Sequence, residues 1–341
     1  MKTTTSKTLR RPAFLLSGLL AATAAAATAW WVHRKAIRAD ADHPPQGKII
    51  VIDGVQLHYV SRGEGSPVVL LHGNAVTHAD FEASGLIDRL ARDHLVIAFD
   101  RPGFGHSSRP RDRLWTPTAQ AALVRRALAK LGIDKAVVVG HSMGAMVAAA
   151  FGLDHPSAVR GLVLVSGYYY PEIRFDALAT APVAVPVIGD VMRYTVTALA
   201  ARTLIGPMVK GMFAPAAVPS GFFTTVPRET MVRPGQLRGN AEDAAFMIPQ
   251  ARTLSSRYSQ LRVPVTIVAG ADDQIVDLEA HSRRLHLDLV DSTLIVVPGV
   301  GHMVHYAAQE EIAAAIASYE TLSPGRPAPL PAQPLPALET A

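Results

Sequence analysis

Cysteine is absent from the 341 residues, which excludes disulfides, thiolate catalysis and Cys-ligated metals and leaves the redox compartment open. A charge imbalance is missing from most of the chain as well. The formal +5 is carried by Lys2, Lys7, Arg10, Arg11, Arg34, Lys35 and Arg38 against Asp40 and Asp42, and from Lys48 onward 26 basic and 26 acidic residues cancel. A neutral body with its basic residues at one end argues against nucleic acid as a partner and for a targeting or membrane role of that end. There is no internal repeat and no dinucleotide fingerprint: three residues beyond Gly103-Phe104-Gly105 stands Ser108, not glycine. About half the residues are apolar, ample for the core of one large α/β domain or two ordinary ones.

One stretch organises the rest. Val137-Val138-Val139 runs into Gly140-His141-Ser142-Met143-Gly144, followed by the small and apolar Ala145-Met146-Val147-Ala148-Ala149-Ala150-Phe151. A strand that becomes a helix within one residue strains its corner residue and lifts that side chain clear of the sheet; Ser142 is that corner. Gly140 and Gly144 lie where a Cβ would collide with the neighbouring strand or helix.

At the N-terminus, Ala13 to Val32 is twenty uncharged residues preceded by Lys7, Arg10 and Arg11, about the length of a bilayer span. The segment 1–46 is expected to be an uncleaved membrane anchor through residues 13–32, with Trp30 and Trp31 in the interfacial belt. The alternative is an export signal cleaved near Ala27-Thr28-Ala29, with residues 42–47 as a linker in either case. Arg10-Arg11 has the wrong spacing for a twin-arginine signal.

From residue 47 the chain reads as α/β: a mostly parallel sheet with an antiparallel N-terminal hairpin, helices on both faces and a helical cap inserted after the sixth strand. The hairpin is 48–52 and 55–60 around Asp53-Gly54, a type I′ signal. Strands at 68–71, 95–99, 137–139 and 162–165 then alternate with helices expected at 78–90 and 117–131 and with the helix after Ser142. Between Tyr168 and Tyr258 the alternation stops. Nine prolines and a set of apolar side chains including Met208, Met212, Phe213, Phe222, Phe246 and Met247 describe short helices over the strand ends, either a lining for a greasy group or simply the contact that seats a lid. The sheet resumes at 265–269 and 293–297, with helices expected at 278–287 and 309–321. Core is thus expected at 47–170 and 260–322 and cap at 171–259, with a Pro-rich disordered tail at 323–341.

A serine hydroxyl needs a base, and the base needs a group that fixes its tautomer. Both candidates follow the last strands: Gly270-Ala271-Asp272-Asp273 after one, Pro298-Gly299-Val300-Gly301-His302 after the other. Each stands at a strand's carboxyl end, where open α/β sheets place their sites.

Together with His72-Gly73-Asn74 and Asp100-Arg101-Pro102-Gly103-Phe104-Gly105-His106-Ser107, these segments resemble, in order, those of the α/β-hydrolase fold family across nearly all of residues 47–322. The resemblance implies Ser142 as nucleophile, His302 as base and Asp273 as acid, with Asp272 the rival carboxylate. It implies an oxyanion hole from the backbone N–H groups of Asn74 and Met143. Many relatives continue His-Gly-x with Pro-Gly where this chain has Ala75-Val76, so the loop's shape is open, and Asn74 either contacts substrate or merely suits a turn. Asp100 belongs to a turn that is structural in the family. His72, His78, His106 and His305 show no metal-ligand spacing and no neighbouring carboxylates, and His281 and His286 are expected on a solvated helix, so no metal or cofactor is expected.

Serine at the elbow disfavours the dehalogenase and epoxide-opening chemistries, whose members carry aspartate there. The expected activity is that of a carboxylesterase- or lipase-like serine hydrolase on esters or related acyl substrates of lipophilic small molecules. Cofactor-free perhydrolase (haloperoxidase) or C–C bond hydrolysis with the same triad is the alternative, and a membrane-tethered, non-catalytic binding protein a reading of another class.

Overall fold

The computed structural model describes residues 10–321. Its centre is an eight-stranded sheet in the order β1-β2-β4-β3-β5-β6-β7-β8. β1 (Lys48–Ile52) and β2 (Val55–Arg62) pair antiparallel. Asp53 and Gly54 between them have φ of 50° and 78°, the two left-handed positions of a type I′ turn. β3 (Ser66–Leu71), β4 (His94–Phe99), β5 (Ala136–His141), β6 (Val159–Val165), β7 (Val265–Gly270) and β8 (Ser292–Val297) run parallel. The direction of winding reverses at β3, which lies between β4 and β5, so the carboxyl ends of β3 and β5 flank the crevice where this architecture collects its ligands.

Parallel strands covered on both faces read as continuous apolar runs. Val69, Leu71, Val138, Leu162, Leu164 and Ile267 pack on α4 (Pro117–Lys130) and α5 (Met143–Asp154). The alternate residues Val68, Leu70, Val137, Val139, Val163 and Val165 meet Phe81 of α2 (Ala79–Ala83), Leu86 and Leu90 of α3 (Leu86–Leu90), and Ile312 and Ile316 of α13 (Gln309–Thr321). α4 starts where Thr116 Oγ1 accepts the Ala119 N–H (3.2 Å) with Pro117 at the first helical position. The helix expected over 78–90 is instead the pair α2 and α3, because Gly85 at φ 76° breaks it. The helix expected over 278–287 is likewise two pieces, a π-turn (Leu278–Arg283) and α12 (Arg284–Asp288).

The cap lies between β6 and β7: α6 (Phe175–Ala184), α7 (Ile188–Met192), α8 (Val196–Phe213), α9 (Phe222–Thr225), α10 (Arg228–Met231) and α11 (Pro234–Ser255). Ile205, Val209, Met212, Phe213 and Phe222 form its own apolar cluster with Val76 and Met303 of the core. For Met212, Phe213 and Phe222, seating the lid is therefore the use the fold makes of them.

α1 (Arg10–Asp42) gives the anchor expectation no support. Among the described residues no helix is long and apolar enough to cross a membrane. Of the expected span, Ser17 to Val32 holds seven alanines and two threonines, and His33-Arg34-Lys35 follows it. The C-terminal half of α1 packs on the cap. Val32 and Ala39 are buried, the Arg202 guanidinium lies 5.1 Å from the Trp31 ring centre, and Asp40 pairs with Arg233. The tail expected over 323–341 lies outside the described residues.

Candidate active site

The turn from β5 into α5 is as abrupt as the sequence implies. Ser142 sits at φ 54°, ψ −118°, a conformation that costs a non-glycine residue roughly 1–3 kcal/mol and persists only where the surroundings enforce it. The two glycines show what enforces it. A methyl on Gly140 would lie 2.2 Å from the Gly144 carbonyl oxygen, and one on Gly144 would lie 2.0 Å from that of Leu71. Ser142 is half-buried between fully buried neighbours.

His302 and Asp273, on the loops after β8 and β7, meet: His302 Nδ1 lies 2.8 Å from Asp273 Oδ2, and both side chains are almost wholly buried. Asp273 Oδ1 accepts the N–H groups of Ile275 (2.8 Å) and Val276 (2.9 Å). Burial pushes the Asp273 carboxyl up, yet the His302 imidazole, its hydrogen bond and the two N–H groups outweigh it and hold the group below the usual carboxylate range. Asp272 turns elsewhere, accepting the Gly299 N–H at 3.0 Å. Among the described residues no hydrogen bond joins Ser142 Oγ to His302; catalytic contacts of this kind often tighten only around substrate. His141 stands behind the pair, its ring 4.9 Å from that of His302 and its Nε2 3.0 Å from the His302 carbonyl. Burial, with His305 and His302 nearby, holds His141 well below the ordinary histidine range, so it is a neutral donor that fixes the main chain of His302.

Met143 is the first residue of α5, so its N–H has no intrahelical acceptor. The Asn74 N–H has no backbone acceptor among the described residues. The Asn74 side chain is held by Arg101, its Oδ1 accepting from Nη2 at 2.7 Å. Met143 packs with Trp115, Pro117, Phe246 and Met247 around a crevice too small to admit a water molecule, with Gln120 and Asp243 at its polar edge. Of the apolar residues singled out in the cap sequence, Phe246 and Met247 are the two beside the expected oxyanion donor.

Arg101 is the residue that sequence reasoning missed. It follows β4, is 1% exposed, and gives its N–H groups to the carbonyls of His72 (2.8 Å) and Gly73 (3.1 Å), to Asn74, to Gln120 Oε1 (3.1 Å) and to Asp243 Oδ2 (2.5 Å). The sequence carries no signal for it: an arginine two residues past β4 stands in a loop, where a solvated side chain is the ordinary expectation. His72 is held neutral, its pKa lowered to about 3 by burial and by the Arg101 charge. Nδ1–H then donates to the Gly73 carbonyl (2.7 Å) while Nε2 accepts the Arg101 N–H (2.9 Å).

Three further expectations change. His78 and His305 do have carboxylate partners. Asp100 accepts from His58 Nδ1 and His78 Nδ1 at 2.8 Å each and from the N–H groups of His78 and His106, a knot that fits a structural role. His305 Nε2 lies 3.0 Å from Asp80 Oδ2, whose other oxygen takes the Tyr306 hydroxyl. By proximity of donor atoms, His58, His78 and Asp100, and Asp80, His141 and His305, are the groups that could hold a metal. Within each group, histidine and carboxylate are hydrogen-bonded to one another at 2.8–3.0 Å. His281 is fully buried, not solvated, its Nδ1 accepting the N–H of Tyr169 at 3.0 Å.

A family model described as alpha/beta hydrolase fold matches residues 66–308. The 2-hydroxymuconate semialdehyde hydrolase of Pseudomonas putida is 26% identical over 278 residues, 81% of this chain and 94% of that protein. Haloalkane dehalogenase 2 of Mycobacterium tuberculosis is 24% identical over 274 residues, 76% and 90% of the two chains. A thermophilic esterase from Thermogutta terrifontis superposes with a TM-score of 0.64 at 21% identity, over 80% of this chain and 98% of its own. The family model covers more than two thirds of the sequence, and the sheet order and strand-turn-helix are those expected of such a protein: the chain belongs to the alpha/beta hydrolase fold family.

Proposed function

We propose that this hydrolase attacks acyl bonds through Ser142, with His302 as general base, Asp273 as the group that orients it, and the N–H groups of Asn74 and Met143 as oxyanion donors. The observation that carries the reading is the 2.8 Å contact of His302 Nδ1 with Asp273, which presents Nε2 as the acceptor a serine hydroxyl requires. Ser142 Oγ adds to the substrate carbonyl as its proton passes to Nε2, and the oxyanion forms between the two donors. Collapse expels the alcohol with that proton, and water activated by the same imidazole releases the acid. We assign a lipophilic acyl group to the apolar crevice of Trp115, Phe246 and Met247 beside Met143, which must widen to admit it.

A fluorophosphonate probe is expected to label the protein and to fail on Ser142→Ala; no labelling of the folded protein would favour a non-catalytic binding role. On p-nitrophenyl esters of increasing length, activity confined to acetate would overturn the lipophilic assignment. C–C bond hydrolysis with the same residues is the second reading, favoured by likeness to the Pseudomonas putida hydrolase over nearly all of that protein's length. Turnover of 2-hydroxymuconate semialdehyde exceeding that of every ester would select it.

A further inference from the structure

The cap is wired to the expected oxyanion loop by a buried ionic bridge. Asp243 on α11 is 1% exposed and sits between two arginines that are themselves buried, its Oδ2 2.5 Å from Arg101 Nη1 and its Oδ1 2.9 Å from Arg109 Nη2. Gln236, Asn240 and Asp243 are spaced to share one face of α11. Asn240 Oδ1 accepts the Ala75 N–H at 2.8 Å, and Ala75 has φ of 67°, the left-handed region that a non-glycine residue adopts under constraint. Gln236 Oε1 accepts the Gly105 N–H at 3.1 Å. One helix of the lid therefore reaches both the loop 73–76 and, through Arg101, the peptide just before it.

The peptide unit between Gly73 and Asn74 is planar and trans, so its carbonyl and its N–H point in opposite directions. The carbonyl is held twice, by Arg101 Nη2 and by His72 Nδ1, which aims the Asn74 N–H away from both. The same unit borders the nucleophile: a methyl in place of the Gly73 hydrogen would lie 3.0 Å from Ser142 Cβ. We propose that Asp243, acting through Arg101, and Asn240, acting on Ala75, are positioning residues that set the Asn74 N–H for the oxyanion, so that the hole is complete only with the cap seated. The proposal rests on the serine-hydrolase reading above. Its consequence is gating: a cap lifted for substrate entry withdraws the carboxylate from Arg101 and Arg109, and the released guanidinium no longer fixes the peptide. Hydrolysis is then confined to the closed state.

The test compares Asp243→Asn, Arg101→Lys and Asn240→Ala in the full chain with wild type. It measures kcat and KM on a p-nitrophenyl ester and the affinity of an aryl trifluoromethyl ketone, whose adduct with serine carries an oxyanion. Deleting an oxyanion donor outright costs about 10²–10³ in kcat; misplacing one is expected to cost about 10- to 100-fold in kcat, with ketone affinity falling in step and KM nearly unchanged. Arg101→Lys loses as well, since one ammonium cannot span the acceptors that the guanidinium holds. If Asp243→Asn fails to fold, Asn240→Ala carries the comparison, and Asn240→Asp, which keeps an accepting oxygen, retains most of the activity. Folded variants with wild-type kcat and ketone affinity, or with loss in KM alone, overturn the proposal. A wild-type protein that does not bind the ketone, or a Ser142→Ala variant that remains active, overturns the parent reading instead, and the positioning role falls with it.

Discussion

Gly144→Ala tests how closely the fold and the expected chemistry share atoms. The added methyl would lie 2.0 Å from the Leu71 carbonyl oxygen and 2.7 Å from that of His72. Both obstacles are backbone, so no side chain can turn aside; α5 and the end of β3 must separate by about 1 Å or more to restore ordinary contact. Overpacking of this kind destabilises by about 1–3 kcal/mol. The displacement is also where it hurts most. Met143 at the head of α5 and Asn74 just past β3 are the two expected oxyanion donors, and a shift of about 1 Å in such a constellation can cost about 10²-fold in rate. Gly211→Ala is the matched control: it lies within α8 with nothing inside 4 Å of the new methyl, and is expected to stabilise by about 0.4–1 kcal/mol. Urea unfolding and kcat/KM on a short-chain ester, measured on both variants, give the comparison. A Gly144→Ala protein with wild-type stability and activity would refute the steric account of the elbow.

Other outcomes follow from the same contacts. Asp273→Asn is expected to lower kcat by about 10⁴-fold through loss of the correct His302 tautomer, whereas Asp272→Asn, which weakens only one turn contact to the Gly299 N–H, leaves the rate near wild type; the reverse ranking would reassign the acid. Acid is expected to destabilise the protein from pH 6.5 downward. The buried His72 and His141 titrate below their unfolded value, so in that window the unfolded chain binds more protons and stability falls with pH. The slope approaches about 1.4 kcal/mol per pH unit for each residue, down to about pH 3 for His72. His78, whose pKa is raised by Asp100 against its burial, contributes stability that is fully present below 6.5 and lost above its folded value, so it does not offset that slope. The lowered carboxyls of Asp100 and Asp273 add a further loss below about pH 4. Urea midpoints that stay flat between pH 6 and 4.5 would show that these imidazoles are not buried neutral.

What could be read along the chain was what depends on near neighbours. Asp53-Gly54 between two alternating runs specifies its own turn, and three valines before Gly-x-Ser-x-Gly specify a strand that must bend at Ser142, because both signals act through backbone sterics within a few residues. Strand order placed His302 and two candidate carboxylates at one edge of the sheet, and the family resemblance, not position alone, selected Asp273 over Asp272. Tertiary structure decided the rest. The 78–90 helix broke at Gly85, since one glycine in a helical pattern does not announce whether its φ will be positive. His281 went inside on a π-turn, whose altered spacing rotates side chains off the face a regular helix would give them. The N-terminal run met the length of a bilayer span, and only the structure showed that α1 buries Val32 and Ala39 just at and beyond its end. Arg101 and Asp243 stand far apart in sequence, and only the seating of the cap brings them together. Each charge alone suggests a solvated surface; burial becomes tolerable only when carboxylate and guanidinium leave water together, and that pairing is a property of the packed molecule rather than of either segment.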